Sequence, residues 1–344
     1  MSAEINVDSY IDVNDSFLTK KGLCGLNNLG NTCFMNSIIQ CLSNTMPLLK
    51  FFLNNKYKQE LNKSSPDCKI VMEWNSLCRA LWHKNAVVTP KNFHRSIQRR
   101  AMERDYDDFT GFGQNDSQEF LQFLLESFHN CFSKKVNMSV VGKQKNALDK
   151  IAVEALNGFK EYFKNDYSSI IDMFYGQYFS RLYTYQSDGV KISNTFDPFS
   201  CLSIEITPKT HDLYSCLNSF TSKENIENNS VKQQKTIAFW KLPKILIIFL
   251  KRFNNSSQKN NSLVKFPINN LDMSKYVLGY NKSKYVYDLY AVSNHSGGCH
   301  GGHYYAFCKN NDNNWYKYDD NVVYTLNESK VVDSSAYCLF YKMK

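Results

Sequence analysis

The sequence predicts an α+β fold, with helices gathered in the first half and strands in the second. Apolar residues recur at helical spacing as far as about residue 165, and from about 170 aromatic and β-branched stretches take over. The two textures do not interleave, so an alternating βαβ arrangement is not expected. A site is expected where the helical half meets the sheet half.

Residues 1–20 are polar without a clear period and read as a flexible arm. From Asn31 the spacing turns helical. Phe34, Ile38, Cys41 and Leu42 share one face, with Asn31 or Thr32 as cap, and Met46-Pro47 breaks or kinks the helix. Cys41, on the apolar face, belongs to the core. Ile70, Trp74, Leu77, Cys78 and Leu81 mark a second helix. A third starts at Asp116, with Glu119 placed as in a capping box and Phe120, Leu121, Leu124, Leu125 and Phe128 as its apolar stripe. A weaker pattern covers about 150–165. Strands are expected at 174–185, 199–206, 244–253, 285–292, 303–309, 315–318 and 336–341. Residues 209–235 read as irregular and 254–261 as a flexible polar loop. There is no internal repeat.

With 344 residues, 43% hydrophobic and 21% charged, the chain can bury the core of one large domain or two ordinary ones. The net charge is +9, but the cations are scattered in short runs such as Lys20-Lys21 and Arg99-Arg100. Nucleic acid is therefore not an expected partner. The longest apolar run, 245–250, is strand-sized, whereas a membrane span needs about 20 residues. The first ten residues include acids and no apolar core, so no signal peptide is expected. A cytoplasmic or nuclear chain keeps its thiols reduced. The eleven cysteines then read as packing residues, ligands or nucleophiles, and none are spaced C-x-x-C.

Three segments can carry chemistry. In Gly30-Asn31-Thr32-Cys33-Phe34 a cysteine follows a turn and opens a helix. Backbone N–H groups there favour an anion, which would lower the thiol pKa and make a nucleophile. A small buried helix residue is the equal alternative. From His295 to His303, Gly297, Gly298, Gly301 and Gly302 suggest a mobile, tightly turning loop that ends on a histidine at the start of an aromatic strand. Such a strand end can hold an imidazole within reach of a thiol. Zinc bound by His295, Cys299, His300 and His303 is a rival with poor geometry, and a phosphate loop lacks its lysine and helix. Trp315 to Asn321 is an aromatic strand ending in Asp319 and Asp320. Adjacent antiparallel strands could bring Asp319 beside the imidazole to orient it, or the segment could be a simple turn.

Taken together, these segments resemble a known family. Gly25 to Ser37, followed by Gln40-Cys41-Leu42, closely resembles the cysteine box of the ubiquitin-specific proteases. The stretch from His295 through Gly302-His303-Tyr304 resembles their histidine box, and Trp315 to Val323 the segment supplying the third triad residue. Gln114 to Leu121 and Leu242 to Phe253 resemble two further blocks. The resemblance runs in family order from residue 22 to about 342.

It implies a papain-like cysteine peptidase with a helical thumb (about 21–171), β fingers (about 172–240) and a β-sheet palm (about 241–344). It implies a deubiquitinase with Cys33 as nucleophile, His303 as base and Asp319 as the orienting acid. Asp320 would be a helper and Asn28 an oxyanion donor. Gln114 and Asp116 would grip the basic tail of ubiquitin, while Gly302 and Tyr304 line the channel for its Gly-Gly end. Expected partners are ubiquitin and ubiquitinated proteins, met by a monomer with no cofactor. The C-x-x-C pairs that bind zinc in many members' fingers are missing around 181–187 and 220–235, so no zinc is expected. The competing readings are a silent or partner-activated ubiquitin-binding scaffold and a protease for a ubiquitin-like modifier. The stretch 133–170 receives no role.

Overall fold

The computed structural model describes residues 18–228, 231–254, 256–298 and 301–344. Helices α1 (Cys33–Ser43), α2 (Met46–Leu53), α3 (Cys68–His83), α4 (Lys91–Glu103), α5 (Ser117–Phe132), α6 (Ala147–Phe163) and α7 (Ser169–Phe174) precede the main strands, and α8 (Leu213–Phe220) sits among them. A short parallel pair, β1 (Gly25–Leu26) and β2 (Val87–Val88), ties the segment before α1 to the helical part.

Two larger sheets follow. One comprises β3 (Gly176–Gln186), β4 (Gly189–Thr195), β5 (Pro198–Phe199), β7 (Glu224–Asn228) and β8 (Val231–Lys241), in the order β4-β3-β8-β7 with β5 paired to β3. The main sheet comprises β6 (Cys201–Glu205), β9 (Ile245–Lys251), β10 (Leu271–Asp272), β11 (Val286–Gly298), β12 (Gly301–Lys309), β13 (Trp315–Asp319), β14 (Val322–Leu326) and β15 (Ala336–Met343). Its order is β14-β13-β12-β11-β15-β9-β6, with β10 on β11. The arrangement is α+β, as expected.

The main sheet is covered on both faces. Ile245, Ile247 and Phe249 of β9 join the helical core, while Leu246, Ile248 and Leu250 join a second core with Leu213 and Leu217 of α8. Two-sided burial is why this strand reads as an unbroken apolar run rather than an alternation. A smaller cluster, Ala152 and Ala155 of α6 against Phe179 and Trp240, packs the other sheet.

α1 departs most from its simple reading. It is buried on every side, including Asn36, Ser37, Gln40 and Ser43. Each makes at least one side-chain hydrogen bond, which offsets part of the cost of burial, although Asn36 Oδ1 and Gln40 Oε1 have no partner among the described residues. Ser37 Oγ lies 3.1 Å from Ser293 Oγ, and Gln40 Nε2 donates to the Cys24 carbonyl at 2.8 Å. Met46-Pro47 ends nothing further: the proline opens α2, where a missing N–H costs little.

Several expectations need correction. Leu18 is fully buried in the helical core, so the expected arm does not extend to residue 20; residues 1–17 lie outside the described residues. Thr32 precedes α1 without capping it, its hydroxyl instead accepting from the Leu29 amide at 2.9 Å. Asp116 does cap α5, through the Gln118 amide, but the reciprocal bond from Glu119 is missing among the described residues. The supposedly irregular 209–235 contains α8, β7 and half of β8. The supposedly loose loop after β9 is tied down. Arg252 Nη1 donates to the carbonyls of Asn260 (2.8 Å) and Ser262 (3.0 Å), and Asn254 Oδ1 accepts from the amides of Ser256 and Gln258.

Candidate active site

Cys33 opens α1 and is 5% exposed. Burial pushes its thiol above the ordinary value. The amides of Tyr304, Phe34 and Cys33 itself pull the other way, and the Asp320 charge adds to the rise. The expected lowering at a helix start is thus present as a force but loses to desolvation.

His303 stands on β12, opposite Ser296 of β11. The glycine-rich stretch before it is a strand-paired hairpin up to Gly298 and from Gly301, not the mobile loop expected; Cys299 and His300 lie outside the described residues. Gly297 has φ +90°, and a Cβ there would come within 2.4 Å of the Gly301 carbonyl oxygen. β12 pairs with β13 in antiparallel fashion, which carries Asp319 to the imidazole. His303 Nε2 and Asp319 Oδ1 are 2.6 Å apart, leaving Nδ1 for the thiol. Among the described residues no hydrogen bond yet joins His303 to Cys33. Asp319 Oδ2 meets Lys317 Nζ at 2.9 Å. Burial works to raise the Asp319 carboxyl, but the His303 and Lys317 contacts outweigh it and hold it below the usual range.

Asp320 is turned away from the imidazole. With φ +47° it occupies the tight turn after β13. Its Oδ2 accepts from Asn28 Nδ2 at 2.9 Å and its Oδ1 from Asn36 Nδ2 at 2.8 Å. Its carbonyl accepts from the Leu26 amide at 2.7 Å. Asp320 therefore clamps the loop before Cys33 and α1 itself to the sheet. Asn28 is fixed from both ends: its Oδ1 accepts from the amides of Gly30 and Thr32, each at 3.0 Å. One Nδ2 proton serves Asp320, and the second has no acceptor among the described residues.

The residues expected to hold a peptide tail gather beside this cluster. A groove of ≈ 310 Å³ is lined by Gln114, Asp116, Phe253, His295, Tyr304 and Tyr337 among others. Gln114 Oε1 accepts from the Gly302 amide at 3.2 Å, bridging the two walls. Asp116 is already engaged, its Oδ1 by the Gln118 amide and its Oδ2 by the Tyr337 hydroxyl, each at 2.6 Å. Gly302 is required sterically, because a Cβ would meet His295 Nε2 at 2.2 Å. His295 opposes Tyr304 across the hairpin, ring centres 4.5 Å apart. Burial, with Lys259 and His303 nearby, brings the His295 ring down to about 4, so it is neutral at pH 7. Among the described residues no cluster of three or more His, Cys, Asp or Glu is arranged to hold a metal ion.

Sequence reasoning missed three side chains here. Lys317 was legible, since residues two apart on a strand share a face. Asn36 sits one helical turn after Cys33 and was also legible. Tyr337 comes from the last strand and carried no local signal.

Comparison with known proteins completes the picture. A family model described as ubiquitin carboxyl-terminal hydrolase matches residues 24–341. Ubiquitin carboxyl-terminal hydrolase 2 of Homo sapiens is 36% identical over 348 residues, covering 94% of this chain and 55% of its own length. Ubiquitin carboxyl-terminal hydrolase 21 of Homo sapiens is 32% identical over 363 residues, covering 95% of this chain and 63% of its own. The chain thus spans between 55% and 63% of the length of these relatives. A solved structure of the SAGA Ubp8/Sgf11/Sus1/Sgf73 DUB module bound to ubiquitin aldehyde is similar with a TM-score of 0.71 and 26% identity, covering 95% of this chain and 70% of that one. No helix among the described residues is long and apolar enough to cross a membrane. The papain-like α+β architecture and a matched span that takes in the whole of this site lead to one conclusion: the chain belongs to the ubiquitin carboxyl-terminal hydrolase family.

Proposed function

We propose that the chain is a thiol-dependent deubiquitinase that hydrolyses the peptide or isopeptide bond after the C-terminal glycine of ubiquitin. The observation that carries the reading is the His303–Asp319 pair, 2.6 Å apart, on a strand whose next residue, Tyr304, turns its amide to the Cys33 thiol. Cys33 attacks the glycine carbonyl as Nδ1 of His303 takes its proton. Asp319 holds the ring by Nε2 and stabilises the imidazolium. The Asn28 Nδ2 proton left free by Asp320, with the Cys33 amide, stabilises the oxyanion. His303 then protonates the leaving lysine amine and later activates the water that cleaves the thioester. No step calls for a cofactor.

Gln114 and Asp116 take the tail, Asp116 through its charge for the arginines before Gly-Gly, while Gly302 and Tyr304 keep the channel too narrow for larger side chains. In this reading residues 21–171 act as thumb, 172–240 as fingers and 241–344 as palm. The enzyme works as a monomer in the cytoplasm or nucleus, on ubiquitin and ubiquitinated proteins. A buried, protonated thiol favours one refinement, activation on binding of substrate or partner. The test is incubation of wild type and Cys33→Ala with ubiquitin carrying a thiol-reactive C-terminal warhead. An adduct in wild type alone supports the reading. No adduct with a folded wild-type protein overturns the free enzyme in favour of a scaffold, another modifier or a partner-activated form.

A further inference from the structure

The Asp319 carboxylate serves two cationic partners. Oδ1 lies 2.6 Å from His303 Nε2 and Oδ2 lies 2.9 Å from Lys317 Nζ. The lysine is held there from several sides. Its ammonium stands 4.0 Å from the centre of the Tyr305 ring and 5.7 Å from that of Tyr324, and its side chain is 21% exposed. The register explains the arrangement. Lys317 and Asp319 alternate onto one face of β13, Lys317 lies opposite Tyr324 of β14, and His303 and Tyr305 occupy the same face of β12. Burial opposes the Lys317 charge, but Asp319 and Tyr324 outweigh it and keep the lysine a cation. The mechanism above makes no use of it.

We propose that Lys317 is a positioning residue of the active site: it fixes the Asp319 carboxylate with Oδ1 toward His303 and offsets part of its charge, weakening the carboxylate's pull on the imidazole that takes the Cys33 proton. The inference rests on the reading of His303 as base. An unshared carboxylate behind an imidazole favours the imidazolium, which cannot accept a proton. A cation on the far oxygen weakens that bias while leaving the hydrogen bond in place. The other titratable groups facing this cluster are Tyr305 on β12, Tyr324 on β14, Asp333 near Tyr305, His295 on β11 with Lys259 beside it, Cys33 on α1, and Asp320, which is taken up by Asn28 and Asn36.

The test follows the His303 ring by NMR through a pH titration of the full chain, histidine-labelled, with His303→Gln to assign its signals. In Lys317→Met the ring midpoint is expected to rise by about half to one pH unit, the size of a nearby charge seen through a partly wet site. Lys317→Arg is expected to titrate like wild type. The acidic limb of ubiquitin-reporter hydrolysis should move with the ring while KM stays put. Lys317→Gln serves as a second neutral variant if Lys317→Met fails to fold. An unmoved midpoint in the neutral variants, or an equal shift in Lys317→Arg, overturns the proposal. If the ring midpoint shifts but wild type cleaves no ubiquitin reporter, the deubiquitinase reading fails and the role of Lys317 stands. If the reporter is cleaved but the ring does not shift, the reverse holds.

Discussion

Gly25→Ala is predicted to damage catalysis from outside the cleft. A Cβ at Gly25 would lie 2.3 Å from the Asn321 carbonyl oxygen and 2.4 Å from its carbonyl carbon. These are backbone atoms and cannot rotate away. Ordinary contact begins near 3.4 Å, so the seam between β1 and the turn after β13 must open by about 1 Å. That seam holds the Leu26 amide to the Asp320 carbonyl at 2.7 Å, and Asp319 and the Asn28 anchor move with it. Overpacking of this kind costs about 1–3 kcal/mol of stability. Misplacing reacting groups by about 1 Å costs on the order of 100-fold in rate. Stability would be read by urea denaturation and kcat by hydrolysis of a ubiquitin C-terminal fluorogenic amide. Gly158→Ala is the control, since its Cβ would meet the Phe196 Cβ at an ordinary 3.6 Å. As a helix-interior change it should leave kcat alone and hold or raise stability, by up to ~1 kcal/mol. If Gly25→Ala keeps kcat within about threefold of wild type and stability within about 0.5 kcal/mol, the seam does not position the acid, and the reasoning fails.

Asn28→Asp keeps the Oδ1 acceptor for Gly30 and Thr32 but replaces the donor, setting two carboxylates together at Asp320. We expect kcat to fall by about 10²–10³ with little change in KM, and a loss confined to KM would remove Asn28 from the oxyanion site. Iodoacetamide labelling of Cys33 in the ubiquitin-free protein should show a pH midpoint above the ordinary thiol value of 9.0, returning toward it in denaturant. The folded thiol keeps its proton where the unfolded one loses it, so this group's stabilising contribution is present below pH 9.0 and is lost as pH rises from there through the higher folded value. A midpoint at or below 9.0 in the folded protein would show that burial does not control this thiol.

The elements that could be read from the sequence are those whose signal is local. Strand β13, helix α5 and its Asp116 cap each announce themselves within a few residues. The fold class followed from their order. The pairing of His303 with Asp319 was readable because one hairpin step separates their strands. The role of Asp320 was not. Adjacency to Asp319 suggested help for the histidine, but a positive φ turns its side chain to Asn28 and Asn36 instead. The burial of α1 on every side was equally hidden, because the partners of Ser37 Oγ and Gln40 Nε2 lie at Ser293 and Cys24. The engagement of Asp116 by Tyr337 joins residues 221 apart and leaves no trace in either segment. Helix α8 was lost among polar residues because its capping box, Asp212 with Ser215, uses serine where a longer acid is the familiar signal.

The clamp between Asn28 and Asp320 joins side chains 292 residues apart. During synthesis the thiol segment leaves the ribosome long before the strands that carry the imidazole and its acid. At about 5–20 residues per second, the interval is roughly a quarter of a minute to a minute. Throughout that time Cys33 has neither the His303 imidazole nor the Asp320 turn that fixes Asn28. On the proposed mechanism a growing chain therefore lacks the machinery to cleave ubiquitin conjugates. Under the proposed mechanism, activity arrives only with the closing of the fold.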